Sequence, residues 1–498
     1  MTTTINLLLI VLSIVTLSGC HGNRQESAVR DHTPLDTGSI KSVKSMHEDF
    51  AVLWSAIKEM HPGYGLYTTT DSLQKAYDKA YDAIRQPLTE SEFMDVIYPF
   101  LCSLRCGHTQ IEHSENYTPP RTSAAGHLPF KVLVRNHRVW ITFHQTDQVN
   151  TGDEILSLND VPVETIIHNG YDLYAGDGYN ESFKDLFLSE YDGFEDVCHK
   201  YYHWEEPYRL KIRTDHEVKS VQVIAKSNSP VTLSDKRIDS YADWIIDESI
   251  PDSRMRFQKN SGIALFKSPT FAYEDTTVFK QAFKLIHQKQ VKTLILDMRH
   301  NSGGDLRIAT QLLSYLADRP FEIIKDVKSR LPNPAINTFD KYFDASITDG
   351  FVLGFEPGYQ EGAWYHIEPK PAFGKLYGPF LLNKADHFTG KLLVLIDGAT
   401  FSSAALFTAA LKAQREDVTF VGRETAGNEE GCNGVTVQKL TLPNTKVVVG
   451  FPWMRVVSVA KKSIVGRGLI PDYLVDYSPA DIVSQKDVDL SKALAIIQ

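Results

Sequence analysis

Asp297-Met298-Arg299-His300-Asn301-Ser302-Gly303-Gly304 and, further along, Thr400-Phe401-Ser402-Ser403 are the two stretches on which the reading of this chain turns. The first directly follows the apolar run Thr293-Leu294-Ile295-Leu296, and the second shortly follows Leu392-Leu393-Val394-Leu395-Ile396. Each has the form of a buried strand, a tight polar turn and an amphipathic helix. That layout sets backbone N–H groups and a serine hydroxyl at the open ends of neighbouring strands, as an acyl-transfer site requires.

Around these turns, from Gly262 onward, the pattern is α/β. Strands are expected at 263–266, 293–297, 392–396 and 418–421, alternating with helices at about 277–288, 306–316 and 404–413. The segment between Arg330 and Asp386, rich in Phe, Tyr, Pro and Gly, reads as an insertion or lid. Upstream, Phe130, Val132 and Val134 alternate with other residues at the period of a strand. The stretch Gly152-Asp153-Glu154-Ile155-Leu156-Ser157-Leu158-Asn159 resembles the carboxylate-binding-loop region of a PDZ-type domain, which an aromatic, acidic insertion at about 171–204 interrupts. Earlier still the period is helical, with an apolar stripe over 47–57, a helix after Thr70 and the capping-box form Thr89-Glu90-Ser91-Glu92 opening a third. The fold class is therefore α+β and multidomain. Residues 43–120 form a helical part, 125–230 a PDZ-like β domain with an insertion, and 240–498 an α/β core that resembles crotonase/ClpP-like catalytic cores.

The chain opens on the apolar run 5–17, closing at Leu17-Ser18-Gly19-Cys20. This resembles a bacterial lipoprotein signal, although Met1-Thr2-Thr3-Thr4 lacks the usual basic residue. The resemblance implies a signal peptide over 1–20, lipidation of Cys20, a polar tether over 21–42, and a place in the cell envelope on the periplasmic or outer-surface face of a membrane. An ordinary signal peptide or a short anchor helix is the alternative. A net charge of −10 argues against a nucleic-acid partner, since no phosphate-neutralising surplus exists. Cys102, Cys106, Cys198 and Cys432 remain, an even number that permits disulfides in an exported protein without ranking their pairings.

Ser402 stands between strand and helix, where its hydroxyl is exposed at the strand end and the Ser403 N–H points from the first helical turn. Gly303 and Gly304 supply the second oxyanion donor, because glycine lets backbone approach a ligand closely. The plain alternative is that Ser402 only caps its helix. The base candidate is His108, in Leu104-Arg105-Cys106-Gly107-His108-Thr109, free to project after a glycine and with an ordinary pKa suited to neutral pH. A metal reading from Cys102, Cys106, His108 and His113 competes, but its spacing is not that of a standard structural zinc site.

These motifs resemble those of the C-terminal-processing (tail-specific) serine peptidase family, which carries Asp-x-Arg-x-Asn-x-Gly-Gly and Thr-x-Ser. The closing Gly468-Leu469-Ile470-Pro471-Asp472 and the helix begun by Asp487-Val488-Asp489-Leu490 are similar to that family's end. The resemblance implies Ser402 as nucleophile, with Ser403 and Gly303 or Gly304 as oxyanion hole. The family's common branch has a lysine base in Gly-Glu-x-Thr-x-Gly-Lys; here Gly422-Arg423-Glu424-Thr425-Ala426-Gly427-Asn428 puts Asn428 in its place. A second branch, resembling the tricorn core protease, takes a histidine before the PDZ domain, and His108 matches that position, with Gly107 where that branch has a serine. Glu424, Glu429 or Glu430 is the expected orienting residue. The implied function is an exported serine endopeptidase that cleaves peptides or proteins through an acyl-enzyme, needing neither metal nor organic cofactor and meeting the membrane through its N-terminal lipid. A catalytically inactive ligand-binding member of the fold, and a small-ester hydrolase with a pocket built from aromatic insertions, are the rivals.

Overall fold

The computed structural model describes residues 40–118, 127–224, 238–344, 352, 354–371 and 374–497. The leader, Cys20 and nearly all of the tether lie outside the described residues. Among the described residues no helix is long and apolar enough to cross a membrane.

The runs Ile263–Lys267, Thr293–Asp297, Lys391–Ile396 and Val418–Gly422 are strands of one seven-stranded sheet and lie side by side in parallel. Their near-continuous apolar character follows from burial on both faces. Leu294 and Leu296 point into the main core with Phe279, Phe283, Leu312 and Leu406. Ile295, one residue out of phase, packs on the opposite face with Leu393, Leu490 and Ala493. The helices Asp275–Gln288, Leu306–Ser314 and Ser403–Gln414 match the expected positions to within a few residues.

A second, antiparallel sheet joins Gln110–Glu112, Val448–Ser458, Ile324–Ser329, Trp364–Pro369 and Phe355–Glu361, with Gly431–Thr441 paired to Val448–Ser458. The segment expected as an insertion or lid thus supplies two strands of a sheet. Phe343 from the same segment packs edge-on against Trp453, with ring centroids 5.0 Å apart. The three N-terminal helices, Val43–Met60, Thr70–Ala83 and Glu90–Cys102, share the main apolar core, and the capping box at Thr89 forms as expected. Buried Asp49 accepts the Asn444 N–H at 2.9 Å and the Thr445 N–H at 2.6 Å, tying the first helix to the turn before Val448–Ser458.

The third sheet orders Phe130–Arg135, Arg138–His144, Glu154–Leu158, Tyr208–Arg213 and Val218–Val223, and its core is separate from the main one. Residues 171–204 fold mainly as short helices on this module. Ser182–Glu190 sits against Phe130–Arg135, where the Ser189 hydroxyl accepts the Val134 N–H at 2.8 Å.

Arg299, in the first of the two turns, anchors the C-terminal segment. Its guanidinium donates to Asp297 at 2.8 Å, to Asp487 at 2.9 Å and to Asp489 at 3.1 Å, and these neighbours hold it firmly charged despite burial. Removing one end of such a cluster strands buried carboxylates. Arg299→Met is expected to lower unfolding stability by about 3–5 kcal/mol, read from the guanidinium unfolding midpoint; a change within about 0.5 kcal/mol, the size typical of a surface substitution, would show that the cluster anchors nothing.

Candidate active site

The two turns are stitched together through their main chains. Phe401 N–H donates to the Asn301 carbonyl at 3.0 Å, the Thr400 hydroxyl to the Met298 carbonyl at 3.1 Å, and the Ser403 hydroxyl to the Gly304 carbonyl at 2.9 Å. Asn301, fully buried, holds its own turn: Nδ2 donates to the Ser268 carbonyl at 2.8 Å and Oδ1 accepts the Gly303 N–H at 2.9 Å. Ser402 heads the helix Ser403–Gln414 with φ 52° and ψ −127°, a conformation strained for a residue with a Cβ and worth about 1–3 kcal/mol elsewhere in the fold. Strain of this kind at a strand-to-helix turn is what exposes a nucleophile.

Gly303 and Gly304 have φ of 102° and 133°. A Cβ on Gly303 would stand 2.8 Å from that of Ser402, and one on Gly304 would stand 2.5 Å from the Phe271 carbonyl oxygen, so neither site tolerates a side chain without movement. The expectation that either glycine supplies an oxyanion donor now divides between them. The Gly303 N–H is already given to Asn301. Among the described residues, neither the Gly304 N–H nor the Ser403 N–H donates to a protein acceptor. Both are therefore available to a developing oxyanion beside the serine.

His108 arrives from a different layer. It follows the helix Glu90–Cys102 and precedes Gln110–Glu112, which pairs with Val448–Ser458. Its Nε2 lies 3.0 Å from Ser402 Oγ, although the two residues are 294 positions apart. The ring stacks on Phe401, with centroids 4.5 Å apart, and a Cβ on Gly107 would meet that same phenyl ring at 2.8 Å. Glycine at 107, where the histidine branch has a serine, is what this packing requires. Burial lowers the His108 pKa to about 4, so the imidazole is neutral near pH 7 and able to accept a proton.

The surroundings of His108 hold residues that no local motif reveals. The Gly107 N–H donates at 2.8 Å to Asp177 Oδ1, while Asp177 Oδ2 is buried without a hydrogen-bond partner. His108 Nδ1 is likewise buried and unpartnered. Burial raises the Asp177 pKa to about 7. His61, whose pKa burial lowers to about 3, is neutral; its Nδ1 accepts the Gly63 N–H at 2.8 Å, which leaves Nε2 to donate to the Thr109 hydroxyl at 2.8 Å.

The three glutamates expected near the histidine are engaged elsewhere. Glu424 accepts from Arg467 Nε at 2.8 Å and from the Gly468 N–H at 2.7 Å; Glu429 pairs with Lys412 at 2.9 Å; Glu430 takes the Tyr67 hydroxyl at 2.7 Å and Arg455 at 3.1 Å. Asn428 donates through Nδ2 to the Tyr67 hydroxyl at 2.9 Å. Of the proposed metal set, His113 turns to Glu90 at 2.9 Å and stacks on Tyr117, away from Cys106 and His108. Cys102, Cys106, Cys198 and Cys432 are free and buried, so no pairing among them forms in this structure.

Residues 262–475 match the model of peptidase family S41. The fold is similar to that of mature CPAF, with a TM-score of 0.60 at 16% identity over 91% of this chain and 96% of that one. Mature CPAF complexed with lactacystin gives a TM-score of 0.60 at 16% identity over 91% and 97%. The photosystem II D1 C-terminal processing protease matches more loosely, with a TM-score of 0.38 at 14% identity over 87% and 93%. No curated protein matches the chain in sequence. A strand-end serine motif, a paired glycine turn and the similarity of the same residues to peptidase family S41 lead to one conclusion: the chain is a serine-type peptidase.

Proposed function

We propose that this protein is an exported, lipid-anchored serine endopeptidase of the histidine-dependent branch of its family, cleaving peptides or proteins through an acyl-enzyme on Ser402. The observation that carries the reading is the 3.0 Å approach of His108 Nε2 to Ser402 Oγ. Asn428, where the other branch has lysine, is an amide and cannot act as a base.

Ser402 Oγ attacks the scissile carbonyl while its proton passes to His108 Nε2. The tetrahedral oxyanion takes the N–H groups of Ser403 and Gly304. On collapse, the C–N bond breaks and the leaving amine collects the proton from the imidazolium. Water then repeats the sequence to release the acid and restore the serine. Asp177 is the carboxylate that steadies the histidine through a water, because it is anchored on the preceding residue and keeps one buried oxygen uncommitted. The PDZ-like module captures a chain end or gates the cleft.

A serine-directed fluorophosphonate should label the wild type and fail on Ser402→Ala and on His108→Ala. A folded but unlabelled wild type would favour a ligand-binding protein instead. Gly304→Ala keeps the N–H but sets a Cβ 2.5 Å from the Phe271 carbonyl oxygen, so the turn must shift and misplace the donor; in a variant that still folds, kcat should fall by up to about 10²–10³-fold, the loss typical of one oxyanion donor, and a wild-type kcat would remove Gly304 from the site.

The pH dependence follows from the two shifted groups. Between about pH 4 and pH 7 both His108 and Asp177 are neutral, and above about 7 Asp177 becomes an anion able to stabilise the imidazolium. The acylation rate is therefore expected to rise in a step near pH 7, and Asp177→Asn should abolish that step while leaving a low plateau. A step that survives in Asp177→Asn belongs to another group and would strip Asp177 of this role.

A further inference from the structure

The strand Ile263–Lys267 ends beside Asp297, where the glycine turn begins. The residues that follow it, Ser268-Pro269-Thr270-Phe271-Ala272-Tyr273-Glu274, run along that turn to the helix Asp275–Gln288. Like the two catalytic turns, this loop leaves the carboxyl end of a parallel strand, the end at which open α/β sheets take their ligands. Its first half is bound to the glycine turn. The Ser268 carbonyl accepts Asn301 Nδ2 at 2.8 Å, the Phe271 N–H donates to the Gly303 carbonyl at 3.0 Å, and the Phe271 carbonyl accepts the Asp305 N–H at 2.8 Å. The Phe271 ring is fully buried and meets Phe279 and Phe407.

Asp275 fixes the second half. Its Oδ2 accepts the Thr270 hydroxyl and the Ala272 N–H, each at 2.8 Å, and its Oδ1 takes Arg254 at 2.7 Å in a buried ion pair. From this fixed loop Tyr273 stands out with 76% of its surface exposed. A lone exposed aromatic is ordinary on a protein surface; what sets this one apart is its place. Two residues of chain span at most about 7 Å, so Tyr273 lies at the rim of the turn that offers the Gly304 N–H to the oxyanion. A ring already held out on a rigid loop gives up little freedom when a partner covers it.

We infer that Tyr273 is a specificity-determining residue of the cleft, whose ring receives an apolar side chain of the substrate, aromatic or proline, about two to four residues from the scissile bond. The inference rests on the peptidase reading of Ser402. An extended chain advances about 3.3 Å per residue, so a side chain at that spacing lies roughly 7–13 Å from the attacked carbonyl, within reach of a tyrosine at the rim. Flat apolar groups stack on a phenol ring and leave its hydroxyl in water. The neighbouring Glu274 is also exposed, and its charge disfavours an acidic side chain at the same position.

The test is cleavage of a pooled library of quenched fluorogenic peptides by the full chain, with the cut sites read by mass spectrometry. Wild type should favour an aromatic residue or proline within about four residues of the cut, and Tyr273→Ala should lose that preference. On the best-cleaved peptide, KM should rise about tenfold in Tyr273→Ala with kcat little changed, the mark of an interaction made equally in ground and transition states, while Tyr273→Phe keeps the wild-type value. Because the side chain is exposed, neither substitution should disturb folding. Labelling of Ser402 by a small fluorophosphonate, too short to reach Tyr273, should proceed alike in wild type and both variants. An unchanged KM and preference in Tyr273→Ala overturns the assignment, and so does a labelling rate that falls with KM, which would place the effect on the serine itself. A folded wild type that takes no label fails earlier, at the peptidase reading, and the inference falls with it.

Discussion

Phe401 is the residue on which the arrangement depends. Its N–H closes the 3.0 Å bond to the Asn301 carbonyl that fixes the serine turn against the glycine turn. Its ring is the surface on which His108 stacks, and Phe183 stacks on it as well, with centroids 5.6 Å apart. One side chain thus meets the core, the N-terminal layer and the module of the third sheet. The hydrogen bond orders the backbone donors, and the ring contact sets where the imidazole lies. Neither alone would bring Nε2 within 3.0 Å of a serine hydroxyl 294 residues away.

Around that contact the protein excludes water, and the exclusion carries an electrostatic consequence. Burial lowers the pKa of His108 and of His61 and raises that of Asp177, in each case favouring the neutral form. Burial that favours the neutral imidazole disfavours the imidazolium, so an unassisted His108 is a weak base in this pocket. A carboxyl group that ionises near neutral pH relieves this difficulty at little cost to the resting state, where no charge is buried. Glu424, Glu429 and Glu430 cannot do the same, because Arg467, Lys412 and Arg455 already claim their charge.

Much of the fold was legible because the α/β core depends on local pattern. Four apolar runs followed by polar turns mark four parallel strands, and Asp297–Gly304 and Thr400–Ser403 mark the turns between strand and helix. The third sheet was legible through its alternation from Phe130 onward. Other features are long-range and leave no trace in a local window. Nothing near Asp177 indicates that its carboxylate receives the Gly107 N–H, and Gly303 differs from Gly304 only because an asparagine side chain already holds the first amide. The aromatic segment 330–386 was misleading for a related reason. Phe355–Glu361 carries Pro357 and Gly358 and pairs with Trp364–Pro369, which in turn pairs with the distant strand Ile324–Ser329, a partner that composition alone cannot foresee.

The joint between module and core is built differently from either interior. The module has its own apolar core, separate from that of the α/β domain. Where the two meet, the contacts are mainly charged or polar, as in His300–Glu190, Arg423–Asp185 and Asn136–Asp476, with Phe183 against Phe401 as an apolar point. Polar joints of this kind are individually weak and leave the relative position of two domains open to adjustment by ligands. One apolar contact, Phe183 on Phe401, falls on the residue that carries both the serine turn and the histidine ring. A change in how the module seats on the core at Phe183 therefore reaches Phe401, which stacks on His108 beside the 3.0 Å contact with Ser402. A joint that was apolar throughout would have fixed that position; a polar one leaves it responsive.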